Sequence, residues 1–330
     1  MRPALSSNMR LDSSATPPLS SPLPPVAAAG LGWGFLGVAA FSLTLPVTRI
    51  AVEGLSPLFV GAGRSAIAAV LAAVALLATR QRCPAARQWL RLAVVAGGIA
   101  VGFPLLTSYA MTTAPAAHGA VVIALLPAAT AVVAVLRTGE RPAAGFWVAA
   151  VAGCACAVVF AGVQGGGFGR VHTADVLLLA AVAAAAFGYA EGGLLARELG
   201  AWQTVSWALV LAAPLMTVLT VVAGLDQPPR AGVAGWAAFA YLAVVSMYLG
   251  FFAWYRGLAI GPIARVSQVQ LVQPVLGIGW AAVLLGEDLT WPTVVGGVAV
   301  RTRRGTASRP AGDPDESGRT PEARRRSRRG

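Results

Sequence analysis

The chain of 330 residues contains no lysine: all 25 of its basic residues are arginine, set against 13 carboxylates and two histidines. Charge is scarce at 12% of the residues, while 57% are hydrophobic and the mean hydropathy is +0.70. That leaves too little polar surface to clothe a water-soluble globule, so lipid has to serve as solvent. A net charge of +12 would favour nucleic acid if the arginines covered one folded face, but ten of them crowd between Arg301 and Arg329 and the rest punctuate apolar runs. Basic side chains interleaved with aromatics on one surface are missing, and no nucleic-acid partner is expected. Cysteine is limited to Cys83 in a basic loop and to Cys154 and Cys156 in an apolar run, which offers neither a disulfide framework nor metal-ligand spacing. A Gly-Lys phosphate loop, an HExxH helix and a GxSxG elbow are all absent. These absences argue against direct use of ATP, an intramembrane enzyme and a cofactor.

What abounds is long apolar sequence. A hydrocarbon core about 30 Å thick takes about 20 apolar helical residues. Nine runs qualify: Ala27–Ala51, Pro57–Thr79, Trp89–Met111, Ala116–Leu136, Ala143–Val163, Ala174–Ala196, Ala201–Gly224, Ala234–Leu258 and Pro262–Leu285. A tenth, Trp291–Val300, stops at Arg301-Thr302-Arg303-Arg304. At about 1.5 Å per residue it covers roughly half the hydrocarbon. The expected fold is an all-α integral membrane bundle of about ten transmembrane helices, the tenth truncated. Residues 1–26, rich in Ser and Pro and without the pattern of a cleavable signal, are expected to form a disordered tail, and residues 301–330 a basic disordered one.

With a cytoplasmic amino terminus, alternate connections carry Arg80, Arg82, Arg87 and Arg91, then Arg137 and Arg141, then Arg197, then Arg256 and Arg265. The opposite connections hold only Arg49, Arg170 and Arg230. This is the bias of a multi-pass protein of the cytoplasmic (inner) membrane, with both termini cytoplasmic if the tenth run crosses. Nine crossings would leave the arginine-rich tail outside, against that bias.

Sliding the sequence on itself by 147 residues superposes Pro115 on Pro262, Ala117 on Ala264, Pro127 on Pro274, Gly139 on Gly286 and Glu140 on Glu287. Each half then reads as a helix, a turn with Pro, a helix broken by an inner Pro, a Gly-Glu pair and a further apolar run, which marks a duplication. Five crossings per unit is an odd number, so the second copy is expected to enter the membrane from the other side, as two inverted five-helix repeats.

Ala253-Trp254-Tyr255-Arg256-Gly257-Leu258-Ala259, Gly261-Pro262-Ile263-Ala264, Gln273-Pro274-Val275 and Leu285-Gly286-Glu287 resemble helices eight and nine of the EamA family of the drug/metabolite transporter superfamily. Tyr109-Ala110-Met111, Pro115, Pro127 and Gly139-Glu140-Arg141-Pro142 repeat the pattern more loosely, and Gly32-Trp33-Gly34 with Arg64 resemble family features of helices one and two. The resemblance covers about Gly30 to Val300. It implies a first five-helix repeat over 27–163, a second over 174–300, and export or exchange of amino acids, drugs or other small metabolites. Family members continue the last helix for another turn or three; here arginine-rich sequence replaces it, as a frame change near Val300 would produce.

Ionisable groups at membrane depth are expensive unless paired or facing a wet cavity, and so are candidate site residues. Arg64 falls seven residues into the second run, about 10 Å deep, where a guanidinium could grip a substrate carboxylate or form a structural pair. Glu191 is the carboxylate best placed within the membrane: it could carry a coupling proton, or pair with Arg197 near the interface. Ser267, Gln270 and Gln273 recur every three residues before Pro274, whose ring frees a backbone carbonyl; Gln268 points elsewhere. They could line a site or glue helices together. Trp33, Tyr109, Trp254 and Tyr255 could wall a pocket for an amphipathic ligand or belong to the interfacial belt. His118 reads as an interfacial anchor or a gate, and Glu140 and Glu287 as turn or helix-end stabilisers.

The expected function is secondary transport, most simply export, of a small solute by alternating access, with weak preference for the proton as coupling ion and with homodimerisation open. The competing classes are a membrane scaffold or sensor that uses its basic tail on acidic lipid and, less favoured, an intramembrane enzyme.

Overall fold

The computed structural model describes residues 25–138, 172–261 and 266–287. The fifth run Ala143–Val163, the tenth run Trp291–Val300, Glu140 and both tails lie outside these residues, except that Pro25 and Val26, expected in the first tail, open a helix, and of Gln268 only the backbone is described. Among the described residues every regular element is helical.

The first run forms α1 (Pro25–Ser42) and α2 (Thr44–Val52), offset at Leu43. The second is α3 (Pro57–Ala78), started by Ser56, whose hydroxyl accepts from the Phe59 N–H at 3.2 Å, and by Pro57 in the first turn. The third is α4 (Ala86–Val95), a wide π segment (Ala96–Gly102) and α5 (Phe103–Ala110). The fourth is α6 (Ala116–Ile123) and α7 (Leu126–Thr138). The second half holds α8 (Thr173–Leu199), α9 (Ala201–Asp226), α10 (Val233–Tyr241), a second π segment (Leu242–Leu249), α11 (Gly250–Ile260), a 3-10 segment (Gln268–Val272) and α12 (Gln273–Leu285). Seven of the resulting helices are long and apolar enough to cross a bilayer, and Val269–Leu285 is a shorter apolar one.

The irregularities obey the 147-residue register. Residues 96–102 map onto 243–249, so both π segments occupy the third helix of their half. The start of α7 at Leu126 maps onto the start of α12 at Gln273. Pro127 and Pro274 stand second in those helices and offer no N–H to the carbonyls of Ile123 and Gln270, so the α-helical ladder is interrupted just before each.

Packing depends on small residues. A Cβ at Gly257 of α11 would meet the Gly34 backbone nitrogen of α1 at 2.7 Å, and one at Gly30 would meet Gly261 Cα at 2.8 Å. Lipid offers helices no hydrophobic drive to associate, so this close backbone approach supplies the dispersion contact instead.

Contacts also define the two ends of the bundle. At one, Gln81 meets Gln203, Gln88 meets Glu198, and Arg91 and Arg137 meet Glu191. At the other, Arg49 donates to the Met111 carbonyl (2.6 Å), the Arg230 N–H to the Gly54 carbonyl (3.3 Å), and His118 pairs with Asp175 (2.7 Å). The first is the arginine end. Helices α6–α7 and α8 both run toward it, so residues 138 and 172 lie at opposite ends.

Candidate functional site

Midway along the bundle, residues of both halves meet around Arg64 of α3, which is 1% exposed. Its Nη2 donates to the Thr107 hydroxyl at 2.8 Å, and that hydroxyl donates to the Phe103 carbonyl at 2.6 Å. The Nε has no hydrogen-bond partner, and no carboxylate lies within salt-bridge distance of the guanidinium among the described residues. A cation held this deep without a counter-ion costs several kcal/mol.

The cavity beside it, about 20 Å³, has room for about one water. Its polar lining is Arg64, Thr44, Tyr189, Ser246 and Gln273; Phe41, Phe103 and Phe251 supply aromatic wall. Thr44 and Ser246, one from each half, share a 2.8 Å hydrogen bond. The Phe41 ring centroid lies 4.8 Å from that of Phe251 and 6.3 Å from that of Tyr189. Gln273 brings an orphaned acceptor, since its buried Oε1 has no partner. An unused cationic donor and an unused acceptor thus line one small space, each short of the bond that would offset its desolvation.

The sequence-derived candidates separate into three groups. Arg64 and Gln273 line the cavity. Gln270 and Trp254 are buried at 3% and 0% exposure, with both Gln270 amide atoms and the Trp254 indole nitrogen unpartnered, and the Trp254 ring lies 5.6 Å from that of Tyr189. The three-residue spacing of Gln270 and Gln273 keeps them on one side because the backbone there is 3-10, where residues i and i+3 eclipse. Glu191, Trp33 and Tyr109 lie elsewhere. Trp33 and Tyr109 are 36% and 42% exposed on the outer surface of the bundle, Trp33 edge-on to Phe252.

Glu191 lies toward the arginine end, its carboxylate bonded by the Nε of Arg91 and, at 2.7 Å, by the Nε of Arg137. Arg91 also reaches Glu198 at 2.5 Å. Arg197, the partner expected from sequence, is six residues along the same helix and so on a different face. His118 is an anchor on Asp175, and Glu287 is a helix-end stabiliser of an unforeseen kind: its two oxygens accept from the Ala116 and Ala117 N–H groups, at 2.8 and 2.9 Å, capping a helix of the other half.

Thr44, Tyr189, Ser246 and the three phenylalanines escape a reading by sequence, because uncharged residues inside apolar runs carry no sign of which neighbour they face. Ser246 had one available signal: it is the sole polar side chain between Tyr241 and Tyr248.

Comparison with known proteins gives this arrangement a context. The model of the EamA-like transporter family matches the chain twice, over 28–162 and 172–301. The "Uncharacterized transporter YdeK" of Bacillus subtilis (strain 168) is 47% identical over 271 residues, which is 82% of this chain and 94% of the relative. A "Probable terminal-alkyne amino-acid exporter" of Streptantibioticus cattleyicolor is 28% identical over 268 residues, 79% of this chain and 87% of that protein. A solved crystal structure of a protein superposes with TM-score 0.65 at 19% identity, covering 83% of this chain and 95% of that one, a likeness of fold alone. With its repeated apolar helices and two successive matches to one family model, this multi-pass membrane protein belongs to the EamA-like transporter family.

Proposed function

We propose that the protein is a secondary transporter that exports a small carboxylate-bearing solute across the cytoplasmic membrane, by alternating access between two inverted five-helix halves. The observation that carries this reading is Arg64: a buried guanidinium with an idle Nε, at a cavity walled by both halves, lacking a protein counter-ion among the described residues. A solute carboxylate supplies that partner. The orphaned Gln273 acceptor favours a hydrogen-bond donor on the same solute, and the phenylalanines favour an apolar body. Such chemistry includes amino acids, in keeping with the name of the Streptantibioticus relative.

The opposed directions of α1–α2 and α8 support inversion, with ten crossings in all, and the concentration of arginine at one end supports a cytoplasmic location for that end and for both termini. A cavity of about 20 Å³ is too small for a metabolite, so the halves have to part for loading. The proton gradient is the proposed energy source, with Glu191 acting on the helices it ties rather than on the solute. Uptake of labelled solutes into proteoliposomes, with carboxylic acids paired with their amides, tests the reading. Acids move, amides do not, and Arg64→Gln abolishes the difference; equal flux of acid and amide refutes it. An unchanged pH dependence in Glu191→Gln removes the coupling role.

A further inference from the structure

Among the described residues, the carboxylate contacts between the two halves share one polarity. At the arginine end, Arg91, Arg137 and Gln88 of the first half engage Glu191 and Glu198 of the second. At the opposite end, the Ala116 and Ala117 N–H groups and His118 of the first half engage Glu287 and Asp175 of the second. In each of these contacts the carboxylate belongs to the second half. Arg64 lies between the two sets.

We propose that these clusters are two polar latches, an ion-pair cluster at the arginine end and a carboxylate hydrogen-bond cluster at the other, that close the central cleft at its opposite ends, and that one parts while the other holds. The first is set inside the bundle: Glu191 is eight residues, about 12 Å, from the end of α8. Its side chain is 5% exposed and that of Arg91 is 23% exposed, so solvent screens the pair only in part. The second joins the first turn of α6 to residues beyond α12 and at the start of α8, drawing together the elements that flank the cavity on that side. Both latches are made in this structure, and the cavity between them is nearly filled. A closed cleft with two fastenings opens toward whichever side loses its fastening, because weakening one latch shifts the population to the state open there. The consequence for flux rests on the transport reading, whereas the latches themselves can be read without any solute.

The test replaces Cys83, Cys154 and Cys156 by Ser and introduces Ser246→Cys in the cavity as a reporter. Membrane-impermeant maleimide is applied from each side, using vesicles of both orientations. Glu191→Gln with Glu198→Gln is expected to raise labelling from the arginine end roughly tenfold and to lower it from the other, as loss of a charge-assisted bond implies. Glu287→Gln with Asp175→Asn is expected to do the reverse. Arg137→Gln, at a side chain 54% exposed and so safe for folding, is expected to follow the first pair at smaller amplitude. Labelling unmoved, or raised equally from both sides, in the variants that fold overturns the latches. Arg64-dependent flux with unmoved labelling leaves the transporter and removes the latches; the opposite result keeps the latches and removes the transporter.

Discussion

Replacing Arg64 by leucine separates a substrate-binding cation from a structural one, because the two roles give opposite signs in stability. Arg64 is 1% exposed, its Nε is unpaired and it has no carboxylate partner among the described residues, so its bond to the neutral Thr107 hydroxyl offsets only a small part of its desolvation. An apolar replacement for such a charge is neutral or stabilising, by roughly 1–3 kcal/mol. Thr107 loses a donor but keeps its 2.6 Å bond to the Phe103 carbonyl. Arg64→Leu is therefore expected to melt at the same temperature as the parent or a few degrees above it. A bound carboxylate, by contrast, loses one or two charge-assisted bonds of about 1.5–3 kcal/mol each, which weakens its affinity at least about tenfold and, if two are lost, about a hundredfold or more. Thermal unfolding in detergent, with and without the carboxylate that shows flux, measures both. At about a hundred times its dissociation constant the solute stabilises the parent by about 2.7 kcal/mol, and the variant by little. If Arg64→Leu instead loses the roughly 3–5 kcal/mol typical of a broken buried pair, or keeps the full solute-induced shift, the reasoning from an unpaired guanidinium fails.

Thr107→Val removes the hydroxyl that orients Arg64, and is expected to raise the apparent KM for a carboxylate solute roughly tenfold with kcat little altered, read from the concentration dependence of initial flux. Gly257→Val places a side chain against the Gly34 nitrogen and the Gly30 carbonyl; a loss of at least about 2 kcal/mol in thermal unfolding is expected, and a loss below about 0.5 kcal/mol contradicts the close approach of α1 and α11. Tyr255→Phe deletes the buried hydroxyl that donates to the Gly188 carbonyl at 3.0 Å, at an expected cost of about 1 kcal/mol; an unchanged melting temperature counts against that bond.

The seven long spans among the described residues were legible because membrane helices announce themselves by length and hydropathy, with only backbone geometry and bilayer thickness between the sequence and the prediction. The duplication was legible for a related reason: Pro127 and Pro274 have backbone consequences wherever they stand, and the breaks beside them share the register read from the residues. Side-chain direction was not. Helices that face lipid on one side and an apolar core on the other have no polar face to orient them, so nothing local distinguishes Trp33, left at the surface, from Trp254, fully buried. Glu191 shows the same limit for charge. Depth along one helix marked it as costly, but its partners, Arg91 and Arg137, come from α4 and α7, and only the packing brings them to it.

The sorting of cations to one half and carboxylates to the other has a bearing on assembly. Shifted by 147 residues, the positions of Glu191 and Glu198 fall on Thr44 and Ala51, so a second copy of the first half in place of the later one would leave Arg91 and Arg137 without the carboxylates they bind. The positions of Arg91 and Arg137 fall on Ala238 and Leu284, so two copies of the later half would likewise leave Glu191 without its guanidinium partners. Neither repeat, for all its shared ancestry of pattern, can therefore stand in for its mate, and the chain is committed to being read as a single complementary pair.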